Sequence, residues 1–333
     1  MRVAPFVMLP CIGNERPASL LGRRMPLHCL SVRRCDPLKD SSALSLAALG
    51  WDEAERATLW KSVRQAALES PGRVVLLAAE QGDHLVAAQI AHVLPGRVAL
   101  AWPIQWAERH IARADWQRTR SAIRDFEKWL TKALIQEGCA LVQAMTAPDD
   151  NFSSQSLSEE GFTSMTQLVY LVDELTQESI PHKGGSLSWS AFEPEAEPRL
   201  ARLLERTYVG TLDCPWLDRL RTTADVLAGY RAVGKFDPSL WKIAQHRGED
   251  VGCVLVNVHP DVWHAEVVYL GLVPEVRGRG WGRELVECAR RLALQAGCRR
   301  MVLAVDDANE PAKRLYAKCG MVEFARRVLW LHR

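Results

Sequence analysis

Two stretches of this chain, QEGCALVQAMTAPDDN at 136–151 and QAGCRRMVLAVDDAN at 295–309, repeat one another in a fixed register. Gly297 follows Gly138 by 159 residues, and Gly320 follows Gly161 by the same 159. Each copy reads as an amphipathic helix, Gly-Cys, an apolar strand, Asp-Asp, Asn, a short helix, Gly and a final strand. A spacing kept across so many elements constrains the fold strongly, because it demands two similar α/β halves. The helix before each copy agrees. Leu285, Ala289, Leu292 and Ala296 recur at three or four residues, as do Ile123, Phe126, Leu130 and Ala133, which is the period of a helix with one buried face.

At 333 residues and 48% hydrophobic content the chain can bury two cores. A net charge of +2 gives no electrostatic case for nucleic acid or an anionic membrane as a partner. The nine cysteines are odd in number and scattered, with no C-x-x-C pair. That argues against a disulfide framework or a structural zinc site, leaves no metal expected, and fits a reducing cytoplasm. No apolar run reaches the roughly 18 residues that span a bilayer, so a cytoplasmic protein is expected.

The predicted organisation is a weakly ordered tail at 1–24, a first domain at 25–177, a linker ESIPHKGGS at 178–186 and a second domain at 187–333. Strands are predicted at 27–33, 73–80, 84–93, 97–102, 140–146 and 163–172, with helices at 52–69 and 117–136. The second half repeats the scheme. Its strands are predicted at 187–192, 240–246, 251–258, 263–273, 300–305 and 321–331, and its helices at 196–208, 216–232, 281–296 and 309–318.

The segment VRGRGWGREL, 276–285, carries the chemistry. Glycines destabilise helices, so Gly278, Gly280 and Gly282 at a helix entrance imply close approach to the backbone. A helix start carries unpaired N–H groups and the positive end of the dipole, which together suit a phosphate, and Arg277, Arg279 and Arg283 add positive charge. A P-loop is excluded, because no lysine and hydroxyl pair follows Gly282. A dinucleotide fingerprint fits poorly, since Asp306 lies 28 residues beyond Gly278 rather than about 20.

VPEVRGRGWGRELVECA resembles the pyrophosphate-binding segment of the GNAT superfamily of acyl-CoA-dependent N-acyltransferases, with Arg277, Gly280 and Gly282 at its signature positions. NEPAKRLYAKCGM resembles that superfamily's second motif, through Asn309, Tyr316 and Gly320. The resemblance covers about 186–333. It implies an α/β fold of two tandem GNAT-like domains, each a mixed, mostly antiparallel sheet flanked by helices. In the C-terminal domain, parallel strands at 263–273 and 300–305 are expected to splay around acetyl-CoA. Leu272 and Val273 would offer backbone to the pantetheine arm, and Arg277, Gly278, Arg279, Gly280, Trp281 and Gly282 would surround the diphosphate. Asn309 would cap its helix or bond the cofactor arm, and Lys313 would meet a phosphate. Tyr316 would donate a proton to the leaving thiolate, and Glu266 would accept one from the amine, against the bland reading of a strand glutamate facing solvent or an arginine.

The acceptor, a small-molecule or peptide amine, is expected near TYVGTLDCPWLDRL, 207–220, with Asp213 holding a cationic amine and Tyr208 and Trp216 as walls. The competing reading has Asp213 capping a helix begun near Pro215. His259 and His264 flank a hairpin and lack a third ligand, which reads as a loop edge. In the first half, WPIQWAERHIARADW has no glycine where a cradle belongs, and Leu157 stands at the tyrosine position. That half is therefore expected to be degenerate. A non-catalytic acyl-CoA sensor remains an alternative, as does an interaction module exposing Trp102, Trp106 and Trp116. A monomer or homodimer is expected.

Overall fold

The computed structural model describes residues 30–49, 53–108, 113–114, 116–176, 185–217 and 220–332. The tail at 1–24 and most of the linker lie outside them. Two compact units form. Among the described residues one contains 30–165 with 327–332, and the other contains 166–326.

The first unit is built on β1 (Ser31–Cys35), β2 (Val74–Gln81), β3 (His84–Leu94), β4 (Val98–Ala101), β5 (Gln105–Trp106) and β6 (Leu141–Thr146). The sheet order is β1-β2-β3-β4-β6, followed by residues 328–332, with β5 on β3. Among the described residues of this unit, only β4 and β6 run parallel. β2 shows why both faces are covered. Val75, Leu77 and Ala79 enter one core, and Val74, Leu76 and Ala78 enter another, as the two-residue period of a strand requires. The first core receives Ile123, Phe126 and Leu130 from the helix Trp116–Gln136. The second receives Leu59 and Val63 from the helix Glu53–Glu69, and Ala43, Leu44 and Ala47 from the helix Ser41–Ala47. This last helix, serine-rich and short, was not expected from the sequence; burial of its three apolar residues holds it. Trp102 and Trp106 are buried, and Trp116 packs edge-on against Phe152, so these tryptophans are core rather than an exposed patch.

Glu160 is fully buried in this unit, and burial pushes its pKa up to about 8. Gln89 donates to it at 2.6 Å, while the amide oxygen of Gln89 has no partner among the described residues. Glu160 also accepts from Ser156 Oγ at 3.4 Å. Its folded pKa stands above the unfolded value, so stability is full below about pH 4.5 and declines as pH rises towards about 8. Glu160→Gln, which keeps both an acceptor and a donor, is expected to raise stability by roughly 3 kcal/mol at pH 7. Thermal melts at pH 5 and pH 8 check this, with the gain present at pH 8 and nearly absent at pH 5.

The second unit uses β7 (Thr163–Glu174, from Thr166 on), β8 (Ser188–Ala191), β9 (Trp241–His246), β10 (Glu249–His259), β11 (His264–Leu272) and β12 (Arg300–Asp306), in the order β7-β12-β11-β10-β9-β8. Among the described residues of this unit, only β11 and β12 run parallel. Helices Glu197–Tyr208, Thr223–Arg231 and Trp281–Gln295 pack on it through Leu200, Leu203 and Leu204, Val226 and Leu227, and Leu285 and Ala289. The helix expected at 216–232 begins at Thr223 instead, because Thr222 and Asp225 form a reciprocal capping box, while Pro215–Leu217 makes only a 3₁₀ turn.

The units cross the order of the chain. β7 precedes the linker yet pairs with β12, and residues 328–332 of β13 (Val322–His332) pair with β6. The repeat explains why either choice satisfies the local pattern: β7 and β13 occupy equivalent positions in the two halves, as do β6 and β12. In both copies the residue after the apolar strand and turn is an N-cap, Asp150 accepting from Ser153 and Asn309 from Ala312.

Candidate active site

β11 and β12 pair only over His264–Glu266 and Arg300–Val302. Beyond that point each keeps its outer neighbour: β11 stays on β10 to Leu272, and β12 stays on β7 to Asp306. The separation begins at a β-bulge. Leu255 stands opposite Tyr269 and Val256 opposite Val267, so Val268 is an extra residue, and the added twist turns β11 away. A cleft of about 670 Å³ opens there, lined by Val267, Leu270 and Leu272 from one strand and Leu303, Ala304 and Val305 from the other.

At one end lies the glycine cradle. Gly278 and Gly280 adopt φ of 79° and 83°, and a Cβ on either would stand in open space. Gly280 is the N-cap of the helix Trp281–Gln295. The amides of Gly278, Gly280, Trp281 and Gly282 donate to no described residue, so the helix start presents unpaired donors to the cleft. Gly282 has a different task. A Cβ there would come within 2.8 Å of Leu315 Cδ2, so this glycine lets the helix Glu310–Lys318 pack close.

The arginines divide. Arg277 donates to the carbonyls of Leu272, Thr207 and Gly210, tying the cradle to the end of the helix Glu197–Tyr208, where its charge also suits the dipole. Arg279 stacks over Trp281, whose ring also lies against His246. The side chains of Arg279, Trp281 and Val273 do not line the cleft; Val273 is buried. Lys313 is held by Asp307 and Glu310 at 2.8 and 2.7 Å, also outside the cleft. Arg283, Arg314 and Lys318 line it. The sequence reading passed over Arg314 and Lys318, although their spacing of four puts them on one helix face.

Tyr316 lines the cleft, and its hydroxyl meets no acceptor among the described residues. Burial, with the Asp213 charge nearby, raises its pKa, so it stays protonated. Leu157, at the matching position of the first unit, is fully buried in one core with Ile104 and Trp106. There β4 pairs with β6 along all four of its residues, leaving no gap like that between β11 and β12.

Asp213 also lines the cleft. Its carboxylate accepts the Asp306 amide at 2.8 Å, while Asp306 accepts from Cys214 N and Thr166 Oγ1. The helix-capping alternative for Asp213 is thus replaced by a clasp between this loop and the end of β12. Tyr208 lines the cleft edge-on to Tyr269, which it meets at 5.6 Å between centroids. Trp216 is half-buried outside the cleft, on the 3₁₀ turn that follows the left-handed Cys214. Glu266 is 1% exposed and bonded to His259 at 3.0 Å, facing neither solvent nor an arginine in that contact. The bulge places Glu266 and Tyr269 on the same face of the sheet.

Residues 198–321 match the family model for the Acetyltransferase (GNAT) family. Mycothiol acetyltransferase of Thermomonospora curvata is 32% identical over 108 residues, covering 32% of this chain and 36% of the relative. The chain spans about a third to a half of the length of the curated relatives it matches. A GCN5-related N-acetyltransferase from Sphaerobacter thermophilus superposes with a TM-score of 0.60 at 18% identity, covering 91% of this chain and 95% of the other. A tandem GNAT protein from the clavulanic acid biosynthesis pathway gives 0.52 at 16% identity, over 91% and 98%. These two likenesses establish the fold across both halves. The split parallel strands and the glycine cradle both lie inside the segment that matches the Acetyltransferase (GNAT) family model.

Proposed function

We propose that the protein is an N-acetyltransferase that moves an acetyl group from acetyl-CoA to a primary amine by direct transfer. The observation that carries this reading is the set of undonated amides at Gly278, Gly280, Trp281 and Gly282, at the mouth of a cleft between two unpaired strand segments. Those amides would hold the diphosphate, with Arg283, Arg314 and Lys318 supplying charge. The open edge of β11 at Leu270 would pair with the amide groups of the pantetheine arm, since Arg277 takes the Leu272 carbonyl and the Val273 amide donates to Val251.

The amine reaches the thioester from the side of Tyr208 and Asp213, whose carboxylate attracts its charged form. Glu266 takes the ammonium proton, directly or through one water. The nitrogen lone pair then attacks the carbonyl carbon, the C–N bond forms and the C–S bond breaks. Tyr316 passes its proton to the departing thiolate, and the second proton that the acetylated nitrogen must lose returns through solvent to the tyrosinate. A thiol-release assay with acetyl-CoA against polyamines, amino acids, aminoglycosides and peptide N-termini tests the reading. Amine-dependent thiol release is expected. Acetyl-CoA binding without release for any amine favours a sensor instead.

A further inference from the structure

The hairpin β10–β11 brings two histidines and one glutamate together where β11 and β12 are still paired, next to Val267 of the cleft but not among the residues that line it. His259 stands opposite His264, and Glu266 follows at the last position where β11 still pairs with β12. Glu266 is buried at 1% exposure, whereas His259 keeps 21%. Nε2 of His259 lies 3.0 Å from Oε2 of Glu266. A carboxylate so enclosed loses its hydration, and a directed N–H donor is what offsets that loss.

The imidazole is fixed from several sides. Its ring lies tilted against His264 with centroids 4.4 Å apart. The backbone bridge between Lys235 and Val258 brings Gly234 so close that a Cβ there would lie 2.5 Å from the Val258 carbonyl and 3.0 Å from the His259 ring. Gly234 itself has φ of 53°, so both conformation and space exclude a side chain. His264 does not compete for charge. Burial, then the neighbouring His259 and Arg300, push its pKa down to about 4, and its Nε2 has no partner among the described residues. Charged residues on the surrounding segments include Lys235, Asp261, Arg299 and Arg300, the last paired with Glu174 at 2.6 Å.

We propose that His259 is a positioning residue, which donates Nε2–H to Glu266 and thereby holds that carboxylate in one orientation and in its charged, proton-accepting form. The inference rests on the reading of Glu266 as the base. His259 touches neither amine nor thioester; it acts through Glu266.

The test compares pH profiles of kcat/KM for Glu266→Gln, His259→Phe and His259→Gln, with thermal melts as a check on folding and calorimetry for acetyl-CoA. His259→Phe is expected to move the acid limb to higher pH by about one unit and to lower the rate at pH 7 roughly tenfold. His259→Gln keeps a neutral N–H donor and should recover part of that loss. Acetyl-CoA affinity should be unchanged in both. If Glu266→Gln flattens the profile while both His259 variants follow the parent protein, the positioning role is wrong and the base stands. If Glu266→Gln itself leaves the profile unaltered, both readings fall. Should His259→Phe not fold, His259→Gln decides alone: an acid limb identical to that of the parent overturns the proposal, and a smaller shift in the same direction supports it.

Discussion

Gly280→Glu is expected to abolish acetyl-CoA binding, with loss of at least about 3 kcal/mol, or 100-fold or more in affinity. Two effects add. Gly280 sits at φ of 83°, where any side chain costs roughly 1–2 kcal/mol. The new carboxylate also projects from a helix start whose amides attract anions. It would settle on the same donors as the diphosphate, and its charge would repel what it did not displace. Nothing lies within 4 Å of the ideal Cβ at Gly280, so the change should leave the surrounding packing intact. Gly280→Ala separates the terms, since it carries the backbone strain without the charge. Calorimetry is the measurement, and undiminished affinity in the glutamate variant would remove the cradle from the binding site.

Tyr316→Phe is expected to lower turnover by roughly 100-fold while leaving acetyl-CoA affinity nearly unchanged. The hydroxyl has no acceptor among the described residues, so deleting it orphans no partner and costs little stability. What it removes is a proton positioned at the cleft. Burial raises the Tyr316 pKa, which keeps the phenol protonated across the neutral range and makes it a donor rather than a base. Thiol release and calorimetry on the same preparation distinguish the outcomes. A variant that turns over at the parent rate takes Tyr316 out of the proton transfer.

The cradle was legible because glycine spacing and helix start are local signals, and Gly278 and Gly280 do adopt the left-handed backbone that only glycine tolerates well. Gly282 was legible only as one of three; its packing against Leu315 depends on a helix about 30 residues further along the chain. Roles that turn on side-chain direction were less accessible. Strict alternation from Glu266 puts Tyr269 on the opposite face, and only the bulge at Val268 returns it to the side of Thr207 and Tyr208. Arg277 shows the same limit, since its motif position says nothing of the three carbonyls that occupy its guanidinium. The clasp between Asp213 and Asp306 spans 93 residues, and no local rule anticipates it.

The pairing of β7 with β12, and of residues 328–332 with β6, sets a timetable for synthesis. A ribosome releases β6 long before the segment that completes its sheet, because Val328 follows its partner Thr146 by 182 residues. β7 likewise waits for some 130 further residues before its partner exists. Neither unit can close before these distant segments have emerged, so the slow, long-range strand pairings come late in folding.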